Sequence, residues 1–263
     1  IVLLDVVEGL AQGKALDLLE AMPIANSNVK IIGGNDYALS KDSDVVIVTA
    51  GIARKPGMSR EDLIVINAGI LKSVIPEVIK YSPNCILIIV TNPLDIMVQL
   101  AYQLSGLPKE RVIGMAGVLD SARFRTFIAE ELRVHPKDVE AMVLGSHGDL
   151  MVPLVEHCKV KGKSIRELLS AQKIEQLVQR TRDGGAEIVN LLKTGSAFFA
   201  PGLAIVEMVE SILKDEKKIL PCSVLLNGEY GFEDVFIGVP VKLGKKGVEN
   251  IVELELSFNE KEE

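Results

Sequence analysis

Cysteine, positive charge and long apolar runs are all scarce in this sequence of 263 residues. The three cysteines are odd in number and widely spaced, which argues against a disulfide framework and against a zinc knuckle. The formal net charge of −7 argues against a general nucleic-acid binder, because nothing would neutralise a row of phosphates. No apolar run approaches the roughly 18 residues that a membrane span needs, and we expect no signal peptide. These shortages predict a cytoplasmic protein with no metal site and no membrane or nucleic-acid partner.

Short apolar segments alternate with segments of helical period in the first half of the chain. Each predicted strand is apolar almost throughout, as expected of strands that crossover helices bury on both faces. This pattern predicts an α/β architecture with a doubly wound parallel sheet. The predicted strands are 1–4, 29–32, 45–48, 86–90 and 111–115, and the predicted helices are 10–21, 59–81 with Ser59 as N-cap, and 94–104.

The pattern changes after Gly117, where long helical segments are followed by paired strands with turn signals. We predict helices at 120–132, 173–192 and 201–214, and strands at 139–144, 223–226, 235–241 and 251–256. This half indicates a second, α+β domain. The expected domains are therefore residues 1–116 and residues 117–263.

The carboxyl ends of the predicted parallel strands carry polar residues, and ligands of open parallel sheets bind at such ends. Asp5 ends the first strand. An acid at this place can bind both ribose hydroxyls of a dinucleotide, and its charge disfavours a 2′-phosphate, so Asp5 favours NAD over NADP. A turn-forming aspartate is the alternative interpretation.

A glycine-rich turn of the form Gly-x-Gly-x-x-Gly would strengthen this interpretation, but the sequence does not contain one. The stretch IIGGND at residues 31–36 has the wrong spacing. Two explanations stay open: about 30 residues, one βα unit, precede this sequence, or the cofactor site is incomplete.

Three residues form a second candidate site in the stretches GVLDSARFR and GSHGD. Asp120 and Arg123 are three apart on a predicted helix and therefore project from one face. The arginine can bind a carboxylate with two parallel hydrogen bonds, and the aspartate can fix the tautomer of a histidine. His147 lies between glycines just after a predicted buried strand. His135 and His157 have no such surroundings and are interpreted as structural.

Four motifs in this order, VTAGIARKPGMSR, VTNPLD, GVLDSARFR and GSHGD, resemble those of the lactate/malate dehydrogenase family, in particular its malate dehydrogenases that resemble lactate dehydrogenases. The similarity extends over essentially the whole chain. It implies a Rossmann-like doubly wound parallel sheet, followed by a second α+β domain that binds the substrate. The glycine-rich first turn and the last helix of the family have no counterpart here.

The resemblance assigns roles to five catalytic or substrate-binding residues. His147 corresponds to the catalytic proton acceptor, and Asp120 corresponds to its partner. Arg123 corresponds to the residue that binds the substrate carboxylate shared by all family substrates. Arg60 corresponds to a loop arginine that closes over the substrate and polarises its carbonyl. Gly57 suits a hinge of this loop, and an ordinary exposed loop with a Pro-Gly turn is the alternative interpretation. Arg54 corresponds to the position that reads the second substituent of the substrate.

The resemblance also implies cofactor contacts at the strand ends. Asp5 corresponds to the acid that binds the adenosine ribose of NAD. Asn92 corresponds to a residue near the nicotinamide ribose that also binds the substrate oxygen. The remaining cofactor contacts of this group are Asn67, Val90 and Thr91.

Substrate choice follows from the charge of Arg54. A second arginine in a closed pocket would be an uncompensated charge unless the substrate supplied a second carboxylate, which favours malate and oxaloacetate. Lactate dehydrogenase activity is the second hypothesis for the function. An inactive interaction module with a nucleotide-binding fold is the third hypothesis, because the glycine-rich turn is missing.

The helix at residues 10–21 and the long helices of the second half are more apolar than one buried face requires. In the family that the sequence resembles, such surfaces form subunit contacts. We therefore expect a homodimer or a homotetramer.

Overall fold

The computed structural model describes residues 1–53 and 58–263. Arg54 and Gly57, to which the sequence analysis gave roles in specificity and loop closure, lie outside the described residues. In the first half of the chain the elements are β1 (Val2–Leu4), α1 (Leu10–Ala21), β2 (Ile32–Gly34), β3 (Val45–Val48), α2 (Arg60–Tyr81), β4 (Ile86–Ile89), α3 (Leu94–Ser105) and β5 (Val112–Gly114).

The second half of the chain begins with a helix that follows β5 almost directly. Its elements are α4 (Gly117–Leu132), β6 (Val139–Glu140), β7 (Val143–Gly145), β8 (Met151–Pro153), β9 (Lys159–Val160), β10 (Lys163–Ser164), α5 (Ile165–Leu168), α6 (Ala171–Leu192), α7 (Phe199–Leu213), β11 (Lys218–Asn227), β12 (Glu233–Gly244), β13 (Gly247–Ile251) and α8 (Phe258–Glu262).

The strands form a parallel part and an antiparallel part of one mixed sheet, whose order is β3-β4-β5-β11-β12-β7-β8. β3, β4 and β5 are parallel, as predicted. β11 joins β5 where Ser223 lies opposite Gly114, and from there the strands are antiparallel. The sheet is therefore continuous across the predicted domain border. β1 and β2 form a separate parallel pair, and β6, β9 and β10 form a small antiparallel sheet.

Strand β4 explains why the parallel strands are apolar throughout. All four of its residues are buried. Ile86 and Ile88 lie in one core cluster with Met208 of α7, while Leu87 and Ile89 lie in another cluster that contains residues of α2 and α3. Successive side chains of a strand point to opposite faces, so both faces of this sheet are covered. Each such aliphatic side chain contributes roughly 1.5 to 3 kcal/mol by burial.

Several predicted boundaries are confirmed. The strand at 45–48 and the helix at 10–21 have the predicted bounds. Ser59 is the N-cap of α2, where its hydroxyl accepts from the Asp62 N–H and the Asp62 carboxylate accepts from the Ser59 N–H. This reciprocal pair is a capping box, which satisfies two backbone donors that the helix itself cannot.

The predicted strand at 29–32 is wrong in position, because the strand found there is β2, Ile32–Gly34. Gly33 and Gly34 belong to this strand, although the prediction from apolar residues did not include them. A Cβ atom at Gly33 would lie 2.2 Å from the backbone oxygen of Ala11 in α1. The helix therefore passes directly over β2, and only glycine permits this approach.

Two further strand predictions are wrong, because the predicted segment either divides between two sheets or stops pairing with its neighbour. The single strand predicted at 139–144 is divided into β6 and β7, which pair with β9 and β12 in different sheets. The strand predicted at 251–256 ends at Ile251. Beyond it, Leu254 and Leu256 pack against a buried cluster that contains Leu144, without forming a strand. Apolar alternation here reflects burial and not pairing.

The start of α4 is fixed by close packing against the second half of the sheet. A Cβ atom at Gly117 would lie 2.5 Å from the Val143 carbonyl oxygen and 2.7 Å from Pro221 Cβ. The buried Ser121 hydroxyl oxygen accepts a hydrogen bond of 2.9 Å from the Val143 N–H. These contacts hold the first turn of α4, which carries Asp120, beside β7, after which His147 follows. Among the helices of residues 1–53 and 58–263, none combines the length and apolar character of a membrane span.

Candidate active site

The buried carboxylate of Asp120 binds both other residues of the predicted site, Arg123 and His147. Asp120 lies in the first turn of α4 and is 1% exposed. Its Oδ1 accepts a hydrogen bond of 2.9 Å from Arg123 Nη1, and its Oδ2 lies 2.8 Å from His147 Nδ1. A carboxylate can only accept, so we assign the hydrogen in the second contact to Nδ1. The predicted proximity of these three side chains is found.

The assigned tautomer leaves the other ring nitrogen of His147 as a proton acceptor. Nε2 has no hydrogen-bond partner among residues 1–53 and 58–263, and the side chain is 16% exposed. An imidazole whose one nitrogen is held by a carboxylate, and whose other nitrogen is unbonded within the described residues, is suited to take a proton from a bound molecule.

The pKa of His147 results from opposing effects. Burial alone lowers the pKa of the imidazole, because the charged ring loses its hydration. The charge of Asp120 and its hydrogen bond to the ring raise the pKa, Arg123 lowers it, and the carboxylate of Asp95 raises it further. The raising effects prevail, so the pKa of His147 lies above the ordinary histidine value. The site therefore stabilises the protonated ring.

Arg123 has donors that the protein does not use. Its side chain is 12% exposed, and its buried Nε has no hydrogen-bond partner among the described residues. An unsatisfied buried donor costs roughly 1 to 3 kcal/mol. An arginine whose Nη1 is already bound can still bind a carboxylate in a bidentate way through Nε and Nη2. The unpaired Nε makes Arg123 a candidate for binding a ligand anion.

The stem of Arg123 depends on a glycine that the sequence analysis did not assign. Gly184 lies inside α6, and a Cβ atom there would lie 3.1 Å from Arg123 Cδ. A glycine within a helix lowers helix stability, so it needs a packing reason. Here the reason is the space that the arginine side chain occupies.

A second arginine lies close to the loop of residues 145–149, which carries His147 and is called the histidine loop below. Arg60 is the first residue of α2, and its Nη2 forms an ion pair with Asp149 Oδ2, two residues after His147. Both side chains are largely exposed. Arg60 thus lies beside the loop that carries His147, and the sequence did not predict Asp149 as its partner. Because exposed pairs are weak, a ligand anion could compete for this guanidinium.

The loops that follow β3 and β4 are joined by Asn67. This residue is fully buried, its Nδ2 donates to the carbonyl oxygens of Ile52 and Asn92, and its Oδ1 accepts from the Ile52 N–H. Thr91 adds a hydrogen bond of 2.7 Å to the Ala50 carbonyl oxygen. Both donors of Asn67 are used within the protein, so a cofactor contact could use only its oxygen. The role of this residue is to hold the two strand-end loops together.

Other predicted cofactor residues are more open. Val90, at the end of β4, is half-buried, and its N–H donates to the Val48 carbonyl oxygen. Asn92 is exposed, and its side chain has no hydrogen-bond partner in the described parts of the chain. It can therefore bind a ligand.

Asp5 has the surroundings that a ribose of NAD requires. This residue directly follows β1, its Oδ1 accepts a hydrogen bond of 2.9 Å from the Val7 N–H, and its Oδ2 accepts none from the described residues. Asn35, which donates to the Asp5 carbonyl oxygen, and Gln12, which donates to Asn35, lie beside it. A half-exposed carboxylate with a free oxygen, surrounded by amides, fits a diol. The residues present therefore fit the adenosine ribose.

The other two histidines have structural roles, as predicted. His135 Nδ1 accepts a hydrogen bond from the Lys137 N–H, and His157 Nε2 lies 3.1 Å from the Glu255 carbonyl oxygen. Within residues 1–53 and 58–263, no three His, Cys, Asp or Glu residues are grouped so that they could hold a metal ion.

The sequence and the fold of this chain are similar to those of known proteins. A family model described as the lactate/malate dehydrogenase NAD-binding domain matches residues 1–114, and the model of the α/β C-terminal domain matches residues 117–263. The malate dehydrogenase of Pelodictyon phaeoclathratiforme is 60% identical over 262 residues, which are 100% of this chain and 84% of that protein.

Solved structures are similar over the same length. The malate dehydrogenase from Picrophilus torridus in its apo form is 51% identical, with a TM-score of 0.96, and the match covers 100% of this chain and 84% of that one. The lactate dehydrogenase from Cryptosporidium parvum, complexed with lactic acid and NAD, is 47% identical, with a TM-score of 0.95 and coverage of 99% and 84%.

The parallel sheet with its strand-end site and the two matching models define an NAD-dependent oxidoreductase. More closely, the chain belongs to the lactate/malate dehydrogenase family.

The substitution Asp120→Asn tests the electrostatic role of the buried carboxylate. Removal of the negative partner lowers the pKa of His147, so the acid limb of malate oxidation and the alkaline limb of oxaloacetate reduction both move to lower pH. The turnover number should fall roughly 10- to 150-fold, because a charged hydrogen bond is lost. Steady-state rates across pH measure both effects. Identical pH profiles of the variant and the wild type would mean that Asp120 and His147 are not coupled.

Proposed function

We propose that this chain is an NAD-dependent malate dehydrogenase, which interconverts malate and oxaloacetate at the site formed by Asp120, Arg123 and His147. The observation that carries the proposal is the shared carboxylate of Asp120, which binds His147 with one oxygen and Arg123 with the other. One side chain thus places a proton acceptor and a carboxylate-binding fork beside each other. A 2-hydroxy acid presents a hydroxyl and a carboxylate on adjacent carbons, and this pair of groups fits that spacing.

Each side chain of the site has one task in the reaction. Arg123 binds the carboxylate next to the reacting carbon with its unused Nε and Nη2. His147 accepts the hydroxyl proton at Nε2 during malate oxidation and returns it during oxaloacetate reduction. Asp120 stabilises the protonated ring. Arg60, released from Asp149, offers positive charge to the substrate oxygen.

The strand ends supply the cofactor contacts. Asp5 binds the hydroxyls of the adenosine ribose, and Asn92 binds on the nicotinamide side, beside Val90 and Thr91. Asn67 holds the loops that carry these residues. When bound, NAD accepts the hydride from malate, and NADH supplies it to oxaloacetate.

Malate is favoured over lactate by the charge of Arg54. The resemblance assigns Arg54 to the second substituent of the substrate, so lactate would leave its charge uncompensated, whereas the second carboxylate of malate would pair with it. The malate dehydrogenase relative at 60% identity supports this choice. Lactate dehydrogenase activity is the second candidate, because the similar Cryptosporidium parvum structure is a lactate dehydrogenase.

The chain is also proposed to form homodimers or homotetramers. Leu16, Leu18 and Leu19 of α1 are 41% to 56% exposed, and Phe199 and Leu203 of α7 are 71% or more exposed. Apolar patches of this kind are typical of surfaces that another protein covers. A second copy of the chain is the occupant that the family membership favours.

We propose that the chain has two domains, at residues 1–116 and 117–263. The ranges of the two family models support these bounds.

We propose a cytoplasmic location, which the three cysteines support. All three are free and buried, and burial raises the pKa of the Cys85 thiol to about 11 and that of Cys158 to about 12. Such thiols are slow to form disulfides and are typical of proteins from a reducing compartment.

The proposed function is tested by steady-state oxidation of malate and of lactate, each with NAD and with NADP. Malate with NAD should be the best combination, because Asp5 would face the 2′-phosphate of NADP with like charge. His147→Asn should abolish turnover and leave NAD binding intact. This variant is the control which shows that the measured turnover comes from the proposed site. Equal efficiency with lactate, or with NADP, would contradict the assignment.

Arg54→Gln tests the substrate specificity. Loss of one partner of a desolvated charge pair costs about 2 to 5 kcal/mol, so kcat/KM for oxaloacetate should fall roughly 30- to 5,000-fold, while that for pyruvate holds or rises. Arg60→Gln is the control. Its proposed contact is to an oxygen that both substrates share, so both should lose kcat together. An equal loss for both substrates in Arg54→Gln would show that Arg54 does not read the second carboxylate.

Leu203→Asp tests the proposed subunit contact. A charge within the exposed apolar face of α7 should shift the protein from dimer or tetramer towards monomer, as measured by sedimentation velocity at micromolar concentration. Gln176→Asp introduces the same charge on the exposed side of α6 and should leave the assembly unchanged. A wild-type chain that sediments as a monomer would contradict the proposal.

A further inference from the structure

Asp95 makes contacts that link the first half of the chain to the histidine loop. It is the second residue of α3 and is half-buried. Its Oδ2 accepts from the Ser146 hydroxyl at 2.6 Å and from the His147 N–H at 3.2 Å, and its Oδ1 accepts from the Ser223 hydroxyl at 2.7 Å. An aspartate in a first helical turn has a local explanation, since it complements the helix dipole. Three hydrogen bonds to two distant segments are more than that explanation requires.

The histidine loop needs such a contact, because its backbone is permissive on both sides. Gly145 and Gly148 have φ angles of +81° and +133°, in the region that glycine adopts without cost. Between them, the hydrogen bonds of Ser146 and the His147 N–H go to Asp95. Asp120 holds only the ring of His147. The two carboxylates therefore divide the task, with Asp95 fixing the backbone and Asp120 fixing the imidazole.

The other oxygen of Asp95 is held by a rigid partner. Ser223 is fully buried in β11, at the position where this strand joins Gly114 of β5. The hydroxyl of Ser223 thus ties the Asp95 carboxylate to the centre of the sheet. Motion of the histidine loop relative to the sheet would break these hydrogen bonds to Asp95, each of which involves a charged acceptor.

We propose that Asp95 is a positioning residue for the reaction, which sets the place of His147 Nε2 by fixing the backbone of the histidine loop against the sheet. This inference rests on the proposed function, because it concerns the same histidine. It goes further by assigning a second carboxylate, outside the substrate and cofactor contacts, to the geometry of proton transfer.

Two substitutions of Asp95 separate position from charge. Asp95→Asn keeps an oxygen for Ser146 and His147 and turns its amide towards the Ser223 oxygen, so the loop stays in place without the charge. Asp95→Ala removes all three contacts. We expect Asp95→Ala to lower kcat roughly 10- to 100-fold, with the KM for NAD unchanged, because small displacements of a catalytic group have large effects. Asp95→Asn should recover most of this loss.

Asp36→Ala is the matched control for stability. Asp36 Oδ1 accepts a hydrogen bond of 2.8 Å from the Ala38 N–H at the start of a short helical turn, away from the histidine loop. Its loss should lower the melting temperature without changing kcat. If Asp95→Ala behaves in the same way, Asp95 is only structural and the proposal is wrong. Equal losses of kcat in Asp95→Ala and Asp95→Asn would also overturn it, because charge and not position would then be responsible.

Imidazole NMR provides a readout that does not depend on turnover. The chain has only three histidines, so the His147 signals can be assigned by comparison with His147→Gln. The ¹⁵N shifts report which ring nitrogen carries the proton. The Nδ1–H form depends on the hydrogen bond to Asp120, which requires that the loop hold the ring within reach of that carboxylate. We therefore expect the Nδ1–H form in the wild type and in Asp95→Asn, and a mixture of tautomers in Asp95→Ala, because the unfixed loop no longer keeps the ring at Asp120. An unchanged Nδ1–H form in Asp95→Ala would contradict the proposal.

Ser146→Ala covers the case in which Asp95→Ala does not fold. It removes one hydrogen bond to the same carboxylate, and its kcat should fall in the same direction with the fold intact; an unchanged kcat would count against Asp95. If the wild type shows no malate turnover, the proposed function fails, while the tautomer comparison still decides whether Asp95 positions His147.

Discussion

The site depends on one buried carboxylate that binds two cationic or potentially cationic side chains. Asp120 has almost no access to water, and a charge in such a place is stable only if it is paired and hydrogen-bonded. Arg123 supplies a permanent charge to one oxygen, and His147 supplies a hydrogen bond to the other. Because the arginine already compensates the carboxylate, the histidine is free to be neutral or charged. A general acid and base requires this freedom.

Short connections in the fold bring α4, which carries Asp120 and Arg123, next to the loop that carries His147. β5 ends at Gly114, and α4, which carries Asp120 and Arg123, begins at Gly117. β7 ends at Gly145, and His147 follows two residues later. The hydrogen bond between Ser121 and Val143 ties α4 to β7, so the aspartate and the histidine are held by rigid elements. Precise side-chain geometry therefore arises from strand ends and a helix start, with only a short loop between them.

The sequence was sufficient for β1, β3, β4 and β5, for most helices and for the proximity of Asp120, Arg123 and His147. These predictions rest on strong local signals: apolar runs, Ser59 as a cap, and the spacing of Asp120 and Arg123. It was insufficient where a residue acts through a distant partner. Asp149 pairs with Arg60, 89 residues earlier, and Ser223 binds Asp95, 128 residues earlier, and neither pairing has a local signature. Gly184 gave a weak signal, since a glycine inside a helix needs a reason, but the reason is a side chain on another helix.

The central claim is that Asp120, Arg123 and His147 act as one unit, and a double-mutant cycle tests it most directly. Values of kcat/KM for oxaloacetate would be compared in Asp120→Asn, Arg123→Gln and the double variant. Residues in one hydrogen-bonded network are coupled by about 0.5 to 3 kcal/mol, so the loss in the double variant should be roughly 2- to 150-fold smaller than the product of the single losses. Losses that simply multiply would show that the two residues act independently, and would contradict this account.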